Sequence, residues 1–222
     1  FSRAPLRLCA SSPDAPASAP AAPVSAPAAP ITGQVRVRQH VNPLSAKYMK
    51  PLELPAAWPD DGTFADPSLP YHVDIGSAKG RFLLAMARAD PSTNFVGLEI
   101  REPLVTQARR WAAAAEPTPL RNVTFLSCNA NASLPEVLSR MRPRELRAVS
   151  VQFPDPHWKP RHHKRRVVRA PLVDTVAAAM GPGGLVYVAS DVEEVAEEMR
   201  ALFLAGGGFR GAEGGREGWV GE

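Results

Sequence analysis

The stretch "YHVDIGSAKGRFLLAMARADPSTNFVGLEI", residues 71–100, decides the fold. Residues 71–76 form a short apolar run typical of a buried strand, and residues 94–100 form a second such run. Between them, residues 79–89 have the apolar spacing of a helix, with Phe82, Leu83, Met86 and Ala87 on one face. Strand, glycine turn, helix and strand together make a βαβ unit, which predicts two parallel strands.

The same alternation of strands and helices continues to residue 205. We expect further strands at 123–130, 146–153 and 185–190, further helices at about 103–115, 134–141, 170–180 and 192–205, and a "GPGG" turn at 181–184. Strands separated by helices of this length predict a mostly parallel sheet with helices on both faces. The fold class is therefore α/β and Rossmann-like.

Composition divides the chain into three parts. Residues 1–34 consist mainly of Ala, Pro and Ser and cannot bury enough apolar surface to fold, so we expect a disordered leader. This leader is either a flexible linker or part of an organelle transit peptide, which would place the protein in a chloroplast or another organelle rather than in the cytoplasm or nucleus. Residues 35–70 are interpreted as an arm lying over the domain, and residues 71–222 as one catalytic domain.

Charge and cysteine content restrict the partners. The net charge of +4 is modest, but many cations cluster near residue 160, which favours a polyanion as partner. The two cysteines, Cys9 and Cys128, belong to no metal-ligand pattern, so no metal is expected. No apolar run approaches the roughly 20 residues of a membrane-spanning helix, so no membrane partner is expected.

The turn "DIGSAKG", residues 74–80, is the expected cofactor site. Gly76 lets the backbone approach a ligand closely, and Glu99, 23 positions later, has the spacing of an acid that binds ribose hydroxyls. A dinucleotide-binding G-x-G-x-x-G register would need glycines where Ala78 and Arg81 stand, whereas S-adenosylmethionine, which has no phosphate, fits the turn with Asp74 leading in. The alternative is that the glycines only shape a tight turn.

The stretch "FPDPHWKPRHHKRR", residues 153–166, holds one acid beside many cations. Prolines on both sides restrict the backbone of Asp155 at a strand end. His157 and Trp158 could stack on a base, although core packing is equally open for Trp158. Six cations without an intervening acid favour contacts with RNA phosphates over a merely solvated surface, and they are Lys159, Arg161, Lys164, Arg165, Arg166 and Arg169.

Together these stretches resemble the tRNA (guanine-N7)-methyltransferase family of class I methyltransferases. The resemblance covers about residues 35–205 in family order. The matching stretches are "RQHVNPL" (38–44), "DIGSAKGRFL" (74–83), "GLEIR" (97–101), "CNA" (128–130), "FPDPHWK" (153–159), "HHKRR" (162–166) and "GPGGLVYVASD" (181–191).

The resemblance implies transfer of a methyl group from S-adenosylmethionine to N7 of a variable-loop guanosine in tRNA. It implies that Asp155 is the active-site acid and that Lys159 and Asp191 bind substrate, although Asp191 could also cap the following helix. Bacterial-type members act alone, whereas cytosolic eukaryotic members work with a β-propeller subunit. The cofactor-binding positions implied are Gly76, Glu99, Ile100, Arg101, Asn129 and Ala130.

The sequence departs from the family at three places. Ala78 replaces a more usual glycine, and Asn129 stands where many bacterial members have Asp. The chain also stops before the last antiparallel strands of the family fold, so we expect these strands to be missing from what looks like a fragment of an organellar member from a plant or alga. A non-catalytic RNA-binding protein on the same fold, or a dinucleotide-dependent oxidoreductase, is the alternative function.

Overall fold

The computed structural model describes residues 6–10, 37, 41–141, 145–206 and 208–211. The strands are β1 (Leu6–Ala10), β2 (Tyr71–Ile75), β3 (Asn94–Glu99), β4 (Val123–Ser127), β5 (Leu146–Gln152), β6 (Met180–Ala189) and β7 (Phe209–Gly211). The helices are α1 (Ala46–Met49), α2 (Arg81–Ala89), α3 (Glu102–Ala113), α4 (Ala130–Ser139), α5 (Ala170–Ala179) and α6 (Glu193–Ala205), with a 3-10 turn at Pro160–Arg165.

The seven strands form one sheet in the order β4-β3-β2-β5-β6-β1-β7. The pairs from β4 through to β6 are all parallel, which confirms the predicted parallel sheet. Because β2 lies beside both β3 and β5, chain order reverses at the β2–β5 boundary. Ligands of open parallel sheets bind at such a point, outside the carboxyl ends of the strands.

Helices cover both faces of the sheet, as predicted. Phe95 and Val96 are consecutive in β3, so their side chains point to opposite faces. Phe95 belongs to a cluster with α2 and α3, and Val96 to a larger cluster with α4, α5 and α6. The α2 side is packed closely at Gly80 (φ +71°), where an added Cβ would lie 2.4 Å from a ring carbon of Phe125. Only glycine permits this approach without a shift of Phe125.

The edge of the sheet beyond β6 differs from the expectations. Leu6–Ala10 lies in the segment expected to be disordered, yet it forms a strand antiparallel to β6 and to β7. The expectation was wrong at these five residues because the backbone of β1 supplies hydrogen-bond partners that the edge of β6 would otherwise lack. The sheet likewise does not end at β6 but continues through β1 and β7. The other residues of the expected leader lie outside the part that the structure describes.

The arm and two element boundaries also need correction. Trp58 and Phe64 are buried in the core, so the segment 35–70 is not only a cover over the domain. The "GPGG" stretch lies inside β6, where the pairing with β5 is irregular, rather than in a turn before it. Helix α4 begins at Ala130, before the predicted 134, because the Asn129 side chain caps it by accepting from Asn131 N at 3.1 Å.

Within the described residues, no helix has the length and apolar character needed to cross a membrane.

Candidate active site

Two adjoining cavities open at the carboxyl ends of the parallel strands. The inner cavity of about 170 Å³ reaches from the glycine turn to the Asp155 loop, and the outer one of about 660 Å³ lies under the arm. They share five lining residues, which are Val41, Ile100, Arg101, Cys128 and Asn129. The inner cavity alone is smaller than the roughly 300–1,000 Å³ of typical small-molecule sites, whereas the two together fall in this range.

The glycine turn presents open backbone to the inner cavity. Gly76 has φ +85°, and an added Cβ would meet none of the described residues within 4 Å. The N–H groups of Gly76 and Ser77 donate to the Leu98 carbonyl at 2.8 and 2.9 Å, which fixes the turn to β3. Ala78 follows with φ +49°, a left-handed conformation that is unusual for a residue with a side chain. The turn is therefore held in one shape beside the cavity.

Glu99 lines the inner cavity and also holds the glycine turn in place. Its buried carboxylate accepts from Ala78 N at 3.0 Å, from Arg101 N at 2.9 Å and from Arg101 Nε at 2.7 Å. The hydrogen bond to Glu99 raises the pKa of Arg101. Any ribose hydroxyl that binds Glu99 must share the carboxylate with Arg101. The predicted position is confirmed as cavity-lining, and its ribose contact stays a prediction.

Asp74 lies below the turn in a buried polar chain that the sequence did not reveal. Ser150 Oγ donates to Asp74 Oδ1 at 2.5 Å, and His72 Nε2 lies 2.9 Å from the same Ser150 oxygen. Burial raises the pKa of Asp74 to about 6 and lowers the pKa of His72 to about 4. Neutral His72 therefore donates from Nε2 to Ser150. Asp74 is not in the lining of either cavity, so its direct contact with a cofactor stays a prediction.

The adenine-side residues predicted from the sequence come together at the carboxyl ends of β3 and β4. Ile100, Arg101, Asn129 and Ala130 all line the inner cavity. The Asn129 amide nitrogen donates to the Pro43 carbonyl at 3.0 Å, which ties the arm to the cavity rim. Asn129 thus combines a helix cap with a contact to the arm, and its predicted contact with adenine remains untested.

Asp155 lies in a loop held in a strained shape at both ends. Phe153 and His157 each have φ +48°, and such values in bulky residues cluster at functional sites. Asp155 Oδ1 accepts from His157 N at 3.2 Å, and its half-buried carboxylate faces the inner cavity. Trp158 is 70% exposed, which excludes core packing. Phe153 is 64% exposed and lines the cavity, a feature that the sequence analysis missed.

The predicted phosphate-binding cations do not form one surface. Four of them are exposed on or beside the 3-10 turn, namely Lys159, Arg161, Lys164 and Arg169. Arg165 instead lines the inner cavity, and its Nε is buried without a hydrogen-bond partner among the described residues.

The assignment of Arg166 to phosphate was wrong. Its side chain is 8% exposed, and its Nε donates to the Pro156 carbonyl at 2.9 Å. Its terminal nitrogens contact Glu194 and Glu198 of α6, and one lies 3.1 Å from His163 Nε2. These donors hold the Asp155 loop against α6 and are not directed at solvent.

Asp191 lies two residues beyond β6 and is exposed. It does not cap α6, whose N-cap residue is Val192, and it is outside the lining of the inner cavity. Its substrate contact therefore stays a prediction. In the part of the chain that the structure describes, no group of three or more His, Cys, Asp and Glu side chains could hold a metal ion.

The charged groups of the cavity suit S-adenosylmethionine as a methyl donor. The donor carries a cationic sulfonium and an ammonium group, and the carboxylates of Glu99 and Asp155 line the cavity that the open Gly76 backbone borders. Asp74 lies directly beneath. An open parallel sheet with a glycine turn at its switch point and acids at the strand ends is the arrangement expected of a class I S-adenosylmethionine-dependent methyltransferase.

Comparison with known proteins agrees with this class. A family model described as "Putative methyltransferase" matches residues 68–214. The chain belongs to the tRNA (guanine-N7)-methyltransferase family. It is 47% identical over 176 residues to the enzyme of that name from Trichormus variabilis, covering 79% of each chain. It is 49% identical over 173 residues to the one from Synechococcus elongatus, covering 78% of each.

Proposed function

We propose that this chain transfers a methyl group from S-adenosylmethionine to N7 of a guanine in tRNA, and that the guanine belongs to the variable loop. The observation that carries the proposal is the common cavity of the Gly76 turn and the Asp155 loop, with exposed cations just outside it. The names of the relatives support the substrate class.

The chemistry needs positioning more than proton transfer. Bound S-adenosylmethionine supplies an electrophilic methyl group, and guanine N7 already has a lone pair available as an acceptor. Asp155 therefore does not act as a general base. Its carboxylate is suited to accept hydrogen bonds from guanine N1 and the exocyclic amino group, and to stabilise the positive charge that develops on the ring. The strained backbone on both sides keeps this carboxylate in one place.

The exposed cations bind the RNA outside the cavity. Lys159, Arg161, Lys164 and Arg169 are exposed on or beside the 3-10 turn that follows the Asp155 loop, where they can contact phosphates while the target base enters the cavity. Enzymes that modify a base take it out of the stack into a pocket, so phosphate contacts at the rim and base contacts inside are expected to be separate.

The test is methylation of an unmodified tRNA transcript by the purified chain, followed by nucleoside analysis. We expect 7-methylguanosine, located by chemical cleavage at the modified site in the variable loop. A transcript with adenosine at this position is the matched control and should remain unmethylated. Methylation at another guanine would refute the variable-loop assignment while leaving the reaction intact, and absence of 7-methylguanosine would refute the function.

Two further expectations belong to this proposal. We expect the chain to act without a partner subunit, as the resemblance implies for bacterial-type members. Turnover by the purified chain alone tests it. An organellar location, inferred from the composition of residues 1–34, stays a prediction, which imaging of the full-length protein fused to a fluorescent reporter would check.

A further inference from the structure

Two cavity-lining side chains have no role in the proposed chemistry so far. The Phe153 ring is 64% exposed although it lines the inner cavity beside Asp155. Arg165 lines the same cavity, and its Nε is buried without a partner in the described part of the chain. A buried donor left without an acceptor costs free energy unless a ligand supplies one. Both features are therefore explained if a ligand binds between them.

We propose that Phe153 and Arg165 complete a guanine-reading site around Asp155, in which Phe153 stacks on the base and Arg165 donates to guanine O6. This inference rests on the proposed function and deepens it. Unstacked RNA bases commonly stack on aromatic side chains. Phe153 is held in left-handed backbone at the end of β5, next to Asp155, so its ring and the carboxylate border the same space.

The hydrogen-bonding pattern explains the choice of guanine over adenine. Guanine has an acceptor at O6 and donors at N1 and at its exocyclic amino group. Asp155 is suited to these donors, and the Arg165 guanidinium, which has only donors, is suited to O6. Adenine has a donor where guanine has O6 and no N1 hydrogen, so it would oppose a donor to Arg165 and an acceptor to Asp155. The pair therefore discriminates between the purines.

The position of Arg165 separates it from the phosphate-binding cations. Arg161 and Lys164, in the same 3-10 turn, are exposed, whereas Arg165 faces the inner cavity. A phosphate contact contributes about 0.7–0.9 to the salt dependence of tRNA binding, and a contact with a base edge does not. Arg165→Gln should therefore leave the salt slope unchanged and lower the methylation rate at saturating tRNA by about tenfold or more. Arg161→Gln is the comparison variant: as the loss of one phosphate contact, it should lower the salt slope of tRNA binding by about 0.7–0.9.

A double-mutant cycle that combines a base analogue in the tRNA with a substitution of Arg165 tests the contact with O6 directly. A tRNA with 6-thioguanosine at the target keeps N7 and N1–H but replaces O6 by a poor acceptor. If Arg165 donates to O6, the wild type should lose about tenfold in rate on this tRNA, and Arg165→Gln should lose little more than it has already lost. Independent, multiplying losses would overturn the contact with O6. Arg165→Lys serves as the second variant should Arg165→Gln fail to fold.

The stacking role of Phe153 has its own comparison. Phe153→Leu should lower the methylation rate about tenfold while S-adenosylmethionine affinity, measured by calorimetry, stays unchanged, and Phe153→Tyr should restore most of the rate. Trp158→Leu is the control, because Trp158 is exposed but outside the cavity. Equal rates for Phe153→Leu and wild type would overturn the stacking role. If the wild type itself does not methylate tRNA, the proposed function fails instead.

Discussion

Replacing Arg166 should destabilise the protein without weakening its contacts with RNA phosphates. The Arg166 guanidinium is nearly buried and joins the Pro156 carbonyl to Glu194 and Glu198. Arg166→Met keeps much of the apolar stem and removes all of these donors. The part-buried Pro156 carbonyl then loses its partner, which costs at most the roughly 1–3 kcal/mol of a fully buried acceptor.

The two ion pairs of Arg166, with Glu194 and Glu198, add little to the loss of unfolding free energy. The Glu194 side chain is 65% exposed and Glu198 is 39% exposed, so both can return to water when the guanidinium is removed. Each pair is therefore discounted to about 0–1 kcal/mol. The expected loss in the free energy of unfolding is about 1–5 kcal/mol, which lowers Tm by roughly 2–20 °C for a chain of this size. Methylation at saturating tRNA should also slow, because the Asp155 loop loses its attachment to α6.

Urea and thermal unfolding, together with tRNA binding at several salt concentrations, provide the assay. Arg161→Met is the matched control, since Arg161 is exposed in the same 3-10 turn and should change stability by less than about 0.5 kcal/mol. The reasoning is refuted if Arg166→Met keeps the wild-type stability and instead lowers the salt slope by the amount of one phosphate contact.

Four other changes should have separable outcomes. Glu99→Ala should weaken S-adenosylmethionine binding by about 1–3 kcal/mol in calorimetry and also lower Tm, since the carboxylate holds the glycine turn; unchanged affinity would remove its ribose role. The double variant Arg161→Ala with Lys164→Ala should lower the salt slope of tRNA binding by about 1.4–1.8, and a wild-type slope would show that the turn does not touch RNA. Asp155→Asn should keep cofactor binding but lose about 10²-fold or more in single-turnover methylation, and a tenfold rise of the wild-type rate from about pH 6 to 8 that vanishes in the variant would make Asp155 a base. Burial raises the pKa of Asp74 to about 6 in the folded state, so the stability that its protonated form contributes is full below about pH 4 and is lost as the pH rises through 6. The difference in unfolding free energy between wild type and Asp74→Asn, measured in urea, should therefore shift by about 3 kcal/mol between pH 4 and 7. A difference that stays constant with pH would contradict the raised pKa.

The parallel sheet could be predicted from the sequence because each of its strands carries a local signal. Residues 71–75 and 94–99 are apolar runs buried on both faces, and the helix between them has a clear apolar face. The strand Leu6–Ala10 could not be predicted, since it pairs with residues about 180 positions away, among them Val188. This strand forms because its backbone hydrogen-bonds to the edge of β6, and local composition does not indicate such a pairing.

The directions of neighbouring cations could not be read from the sequence either. Three residues complete one turn of a 3-10 helix, so consecutive side chains point about 120° apart. Lys164 is exposed, Arg165 lines the cavity and Arg166, which follows the turn, is buried against α6. The sequence shows only a run of like charges. In contrast, Asp155 and Glu99 could be placed because Glu99 ends β3 and Asp155 follows β5, and the sheet fixes both strand ends.

The reversal of strand order between β2 and β5 separates the residues that bind the methyl donor from those that bind the target base. The residues assigned to the methyl donor lie between Asp74 and Ala130, and those assigned to the target base lie between Phe153 and Arg165. Each half lines its own side of the crevice, and the two halves pack together through β2 with β5 and through α4 with α5. Substitutions in the second half can therefore alter which base or RNA enters while the first half keeps the same methyl donor. An enzyme with a new target could be built by exchanging β5, the Asp155 loop and the 3-10 turn on an unchanged donor-binding half.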